Sequence, residues 1–248
     1  MNPIELNILL PAFIAGLLVL ATHIPFGMKV LERGVIFADL AVAQIAGLGV
    51  VIAGLLDLAE RPLLVQLIAA ASALCGAALL ALIERYLSEV KEACIGMLFI
   101  LAASGGILLM SSDVHAGEHL KDLLVGQILW VGNSQLIATA ILTATLLALW
   151  RIFNERLGNF GFYALFALAV TASVQLVGVY LVFASLIVPA LATYRWQQRR
   201  KLVAYAVGVA GYAAGLLLSV WGDLPTGAAI VWAMAVVGAV LMFWKRAE

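Results

Sequence analysis

Charge is what this sequence has least of: of 248 residues, 11% are Asp, Glu, Lys or Arg, while 65% are hydrophobic. So little charge could not keep a soluble domain dispersed, and the composition excludes one. Cysteine is nearly absent as well. Cys75 and Cys94 form no CxxC pair and fall in or beside different apolar stretches, which argues against a disulfide framework or a thiol-metal site. The formal net charge is zero and the basic residues are dispersed, so no concentrated basic surface exists for a nucleic-acid partner. No GxxxxGK[ST] phosphate loop and no G-x-S-x-G elbow occur, which removes the usual marks of a nucleotide hydrolase and of a serine hydrolase. The first apolar stretch has neither a basic leader nor a small-residue cleavage site, and it reads as a retained helix rather than a removable signal.

What is present is apolar sequence in repeated stretches. A helical bilayer crossing needs roughly 20 apolar residues, and backbone groups in lipid must bond within their own segment. The expected fold is therefore all-α, a polytopic membrane bundle of about nine helices filling 1–248 as a single transmembrane domain, with no room for a soluble catalytic domain. The first span runs from about Leu6 to Phe26, the second from Val35 to Leu56, and the third from Pro62 to about Ile83. Pro62 suits a first helical turn, where its missing N–H costs nothing. A fourth span ends near Met110, followed by the longest outer segment, 111–134. Within it LLVGQILWVG (123–132) is too short to cross and reads as a re-entrant or interfacial helix. A fifth span ends near Phe153. Residues 163–196 accommodate two crossings about a tight turn at Gly178, or one long tilted element, which would make eight spans rather than nine. Two final crossings flank 222–226.

Labelling alternate polar clusters inside and outside separates the basic residues sharply. Lys29, Arg33, Arg85, Lys91, Arg151, Arg156, Arg195, Arg199, Arg200, Lys201, Lys245 and Arg246 fall on one side; Arg61 and Lys121 fall on the other. Basic residues are retained on the cytoplasmic side, so the amino terminus is expected outside and the carboxyl terminus inside.

Few residues could carry chemistry. Asp39 sits a few residues into the second span, and an intramembrane carboxylate costs at least about 2.5 kcal/mol, so it should face a partner, a cavity or a cation. The bland alternative is that it solvates itself at the inner interface. Gln44 lies on the same helix but about 140° away, since each residue advances the helix by about 100°. It is a pore-lining candidate or, equally, a hydrogen-bonding group between helices. His115, Glu118 and His119, with Asp113 and Asp122 nearby, form the one cluster of histidine and carboxylate in the chain. The set suits zinc or another first-row divalent ion, and it also suits a solvated outer loop. His23 reads as a packing or capping residue. Pro189 should kink its helix and free a carbonyl one turn earlier, either for gating or as packing strain.

Five segments carry a family resemblance in order: ERGVIFADLAVAQIAGLG (32–49), EACIGMLFILAASGGILLMS (92–111), LLVGQILWVG (123–132), VGVYLVFASLIVPALATYRW (177–196) and GDLPTGAAIVW (222–232). Together they resemble the permease subunits of bacterial ABC importers for zinc and manganese. The resemblance implies a permease of the bacterial inner membrane that pairs with a second copy of itself amid membrane lipid. It implies a periplasmic or lipid-anchored metal-binding protein that delivers cargo, and a cytoplasmic ABC ATPase subunit that supplies energy, so the chain itself is not an enzyme. A divalent metal is then transported substrate, with no permanently bound cofactor. Glu155, Arg156, Leu157 and Gly158 fall where the family couples to its ATPase, in a loop shorter than usual. From the residues themselves, Gly178 and Pro189 are the gating-kink candidates. The family places a histidine one turn after the aspartate of its second helix. Here Asp39 is followed at that step by Ala43, with Gln44 beside it, which weakens a preference for zinc over manganese or iron. A permease for an iron chelate and a non-transporting membrane scaffold or intramembrane enzyme are the alternatives.

Overall fold

The structure, a computed structural model, describes residues 3–56, 58, 60–109, 126–153 and 158–244. These residues form nine α-helices: α1 (Pro3–Arg33), α2 (Ala38–Leu55), α3 (Pro62–Tyr86), α4 (Lys91–Leu109), α5 (Asn133–Phe153), α6 (Gly158–Val177), α7 (Val179–Ala192), α8 (Arg200–Gly222) and α9 (Thr226–Trp244). Eight are long and apolar enough to cross a bilayer. The ninth, α7, has 14 residues. At 1.5 Å per residue it rises roughly 21 Å, less than the roughly 30 Å of hydrocarbon. The break expected near Gly178 is present, but the element after it is shorter than a full crossing.

Two boundaries differ from the sequence expectation. Helix α1 continues to Arg33, past the end expected near Phe26, and over the added turns Lys29 and Glu32 pair one turn apart, Nζ to Oε2 at 2.9 Å. The segment expected as a re-entrant helix shows, over its described part, only a single 3₁₀ turn, Ile128–Trp130. Gly126, with φ +70°, precedes that turn, and the residue between α6 and α7, Gly178, has φ +80°. The two lie against each other: a Cβ on Gly126 would strike the backbone of Val177 and Gly178. Only glycine satisfies both the positive φ and the close approach.

The chain divides into two compact units that interleave in sequence: Met1–Arg33, Leu124–Leu147 and Ser173–Glu248 in the first, Gly34–Leu123 and Ala148–Ala172 in the second. In the first, α1 packs on α7 and α8, and α9 packs on α8 and α7. Lipid is as apolar as leucine, so close fit and polar bonds hold these helices rather than hydrophobic burial. One such bond follows from a proline. Pro25 lacks an N–H, which frees the carbonyl of Ala21 four residues back. The hydroxyl of Tyr205 on α8 donates to that oxygen at 3.2 Å. Ser185 on α7 and Tyr212 on α8 share a second buried bond, 2.9 Å.

In the second unit, α2 packs against both α3 and α4. Phe162 of α6 meets Trp150 edge-on at 5.7 Å and stacks on Phe166 at 5.9 Å.

Each unit also gathers basic groups at one end. In the first, Arg200 Nη1 lies 3.7 Å from Glu32 Oε1, so the end of α1 with Lys29 and Arg33 adjoins the start of α8. In the second, the Ile36 N–H donates to the Glu92 carboxylate, which brings the start of α2 to the start of α4, beside Lys91.

Candidate functional site

Helix α2 starts after Phe37 with no side-chain cap, and Asp39 is the acidic residue of its first turn. The first N–H groups of a helix have no partner within it. The Asp39 carboxylate lies close to its own backbone N–H and that of Leu40. Its Oδ1 is buried with no hydrogen-bond partner among the described residues. Asp39 is 1% exposed, the one carboxylate buried to that degree among the described residues. Its carboxylate is thus enclosed by protein rather than open to solvent.

The magnitudes show what is missing. A carboxylate at a helix amino terminus gains up to about 2 kcal/mol in a partly buried setting. Burying an unpaired carboxylate costs several kcal/mol even after relaxation. Helix capping alone does not balance the burial, so a cation or a proton is needed as well. Among the described residues no group of three or more His, Cys, Asp and Glu side chains stands ready to hold a metal ion. Among the described residues the site is thus a single buried carboxylate whose Oδ1 has no hydrogen-bond partner.

Ala43, one turn on, is buried at 3% exposed and offers no ligand. Gln44 is half-buried on the same regular helix. His115, Glu118 and His119, with Asp113 and Asp122, lie outside the described residues, as do Glu155, Arg156 and Leu157. Gly158 opens α6, exposed, at φ +55°. Pro189 is buried three residues before the end of α7, and Thr193 Oγ1 donates to its carbonyl at 2.8 Å. His23 is buried within α1 and its Nδ1 lies 2.9 Å from the Val19 carbonyl. A carbonyl only accepts, so Nδ1 carries the proton, and His23 is a packing residue bonded to its own helix.

One participant had no signal in the sequence. Glu92, in the first turn of α4, accepts from the N–H of Ile36, just ahead of α2. The two residues are 56 positions apart, and neither type nor spacing marks them as partners.

The chain is 28% identical over 182 residues to a "Probable iron transport system membrane protein" of Haemophilus influenzae, covering 64% of this chain and 67% of that one. Its fold is similar to that in the structure of PsaBC from Streptococcus pneumoniae in complex with a Fab. There the TM-score is 0.72 at 21% identity, over 95% of this chain and 89% of that one. The model of the ABC 3 transport family matches residues 5–159 and 151–245, nearly the whole sequence. The five ordered segments, the bundle of apolar helices and this match agree: the chain belongs to the ABC 3 transport family, as a multi-pass membrane transport component and not an enzyme.

Proposed function

We propose that the chain is the permease subunit of a bacterial ABC importer for divalent metal ions, acting over 1–248 as one transmembrane domain of the inner membrane. A second copy completes the pathway, a separate cytoplasmic ATPase supplies energy and couples through Glu155, Arg156, Leu157 and Gly158, and a periplasmic or lipid-anchored protein delivers the ion. The amino terminus lies outside and the carboxyl terminus inside, in keeping with the 14 basic residues. The outer segment with His115, Glu118 and His119 receives the cargo or its carrier, and the Gly178 break and Pro189 lie in the moving part.

The observation that carries this reading is the buried Asp39 with its unpartnered oxygen. A divalent cation shed of part of its water meets there the negative charge that lipid and apolar side chains lack. An oxygen ligand without imidazole suits manganese or iron at least as well as zinc. The likeness to an iron transport system membrane protein supports including iron.

The test is uptake of Mn²⁺, Zn²⁺ and Fe²⁺ into vesicles holding the assembled transporter. Asp39→Ala abolishes ATP-dependent uptake while the subunits still purify together. Undiminished uptake of all three ions in that variant overturns the reading. Competition between the ions, and between free iron and an iron chelate, identifies the cargo.

A further inference from the structure

The turn that leads into α2 is short and tight. Gly34 has φ +62°, the N–H of Ala38 bonds back to the Val35 carbonyl at 3.1 Å, and the N–H of Ala41 already bonds to Phe37 in helical fashion. Ile36 lies inside this turn, three residues before Asp39, and its N–H is held by the Glu92 carboxylate. Little slack separates the held amide from the first turn of α2.

Glu92 is an expensive choice for such a bond. A partly buried carboxylate whose second oxygen, Oε2, is buried and unpartnered carries a desolvation cost that a serine or asparagine cap at position 37 would avoid. A local cap, however, would fix α2 only to its own preceding turn. Glu92 fixes it to another helix. The charge also lies at the amino ends of both α2 and α4, where each helix dipole favours an anion.

We propose that Glu92 is a positioning residue for transport: by holding the Ile36 amide it sets where the first turn of α2, and with it the Asp39 carboxylate, stands relative to α4. The inference rests on the reading of Asp39 as the ion-facing group. It makes the α3–α4 junction, with its exposed 3₁₀ turn Ser88–Val90, the mechanical neighbour of that group within the second unit.

The test is a double-variant cycle on the complete transporter in vesicles, with Mn²⁺, Zn²⁺ and Fe²⁺ uptake as the readout. Asp39→Asn, which keeps one side-chain oxygen and is expected to leave slow uptake above the empty-vesicle rate where Asp39→Ala leaves none, is combined with Glu92→Ala, and Glu92→Gln serves as the conservative control. Loss of a hydrogen bond to a charged group corresponds to about a tenfold fall in maximal rate for Glu92→Ala. Glu92→Gln, which keeps an acceptor oxygen, stays within about threefold of the parent, and the double variant is no slower than Asp39→Asn alone. If the two losses multiply, or if Glu92→Ala transports normally while Asp39→Asn does not, Glu92 does not act through Asp39; the proposal then fails and the role of Asp39 stands. If Asp39→Asn itself transports normally, both fall. Should Glu92→Ala not assemble, Glu92→Asp, which retracts the carboxylate by one methylene, takes its place in the cycle with the same outcomes.

Discussion

Helices α4 and α6 are nearly the same length, 19 and 20 residues, and both pass as apolar membrane spans, yet 12 residues of α6 are buried within the chain against 2 of α4. A water-soluble helix announces its buried face by putting polar residues opposite, but a membrane helix must be apolar on the lipid side too. Hydroxyl groups do not mark the difference either. Thr171 and Ser173 of α6 are buried, while Ser104 of α4 is exposed and bonds its hydroxyl to the Ile100 carbonyl in its own helix at 2.7 Å. What separates the two is fit: α6 presents Phe162, Tyr163 and Phe166 to an interior that encloses them.

The largest effect is expected where α6 ends. Gly126→Ala forces a Cβ into the backbone of Val177 and Gly178 and holds an L residue at φ +70°. A loss of more than about 3 kcal/mol, combining backbone strain with collision, should show as failure to recover folded protein in detergent. Next comes Phe166→Ala, whose ring is 0% exposed. Lipid is no worse a solvent for that ring than the protein, so only the cavity counts, about 2–3 kcal/mol in equilibrium unfolding. Tyr205→Phe removes the donor to the carbonyl freed by Pro25 and should cost about 1 kcal/mol. The smallest effect belongs to α4: Ile107→Ala, at 58% exposed, should change stability by less than about 0.5 kcal/mol. Equal losses at Phe166 and Ile107 would break the contrast, and would mean that the outward face of α4 is covered in the assembled transporter.

Much of this architecture was legible in the residues. The helical spans follow from apolar length, Pro62 does open α3, and Gly178 does stand between two helices. Asp39 stood out because a carboxylate in an apolar run has no inexpensive place, and it is buried at 1% exposed. Other features arise from contacts that no local pattern encodes. Over the extra turns of α1, Lys29 pairs with Glu32 and Glu32 with Arg200, far away in sequence. The bond from Ile36 to Glu92 joins the turn ahead of α2 to the first turn of α4, 56 positions away, and no local pattern pairs them. The shortness of α7 was hidden because residues 163–196 are apolar throughout the bend, and hydropathy does not register one residue at positive φ.

The interleaving of the two units imposes a schedule on synthesis. Helix α1 ends at Arg33, but the helices it packs against begin only at Val179 and Arg200. At about 5–20 residues per second, the nascent α1 must wait on the order of ten seconds or more before either exists. During that interval Thr22 and His23, later enclosed, meet lipid, the translocation machinery or a chaperone, and their side-chain bonds to the Val19 carbonyl give them partners that need no other helix. The Thr22 hydroxyl and His23 Nδ1, which finish in the interior of the mature permease, thus have a partner on their own helix throughout its assembly.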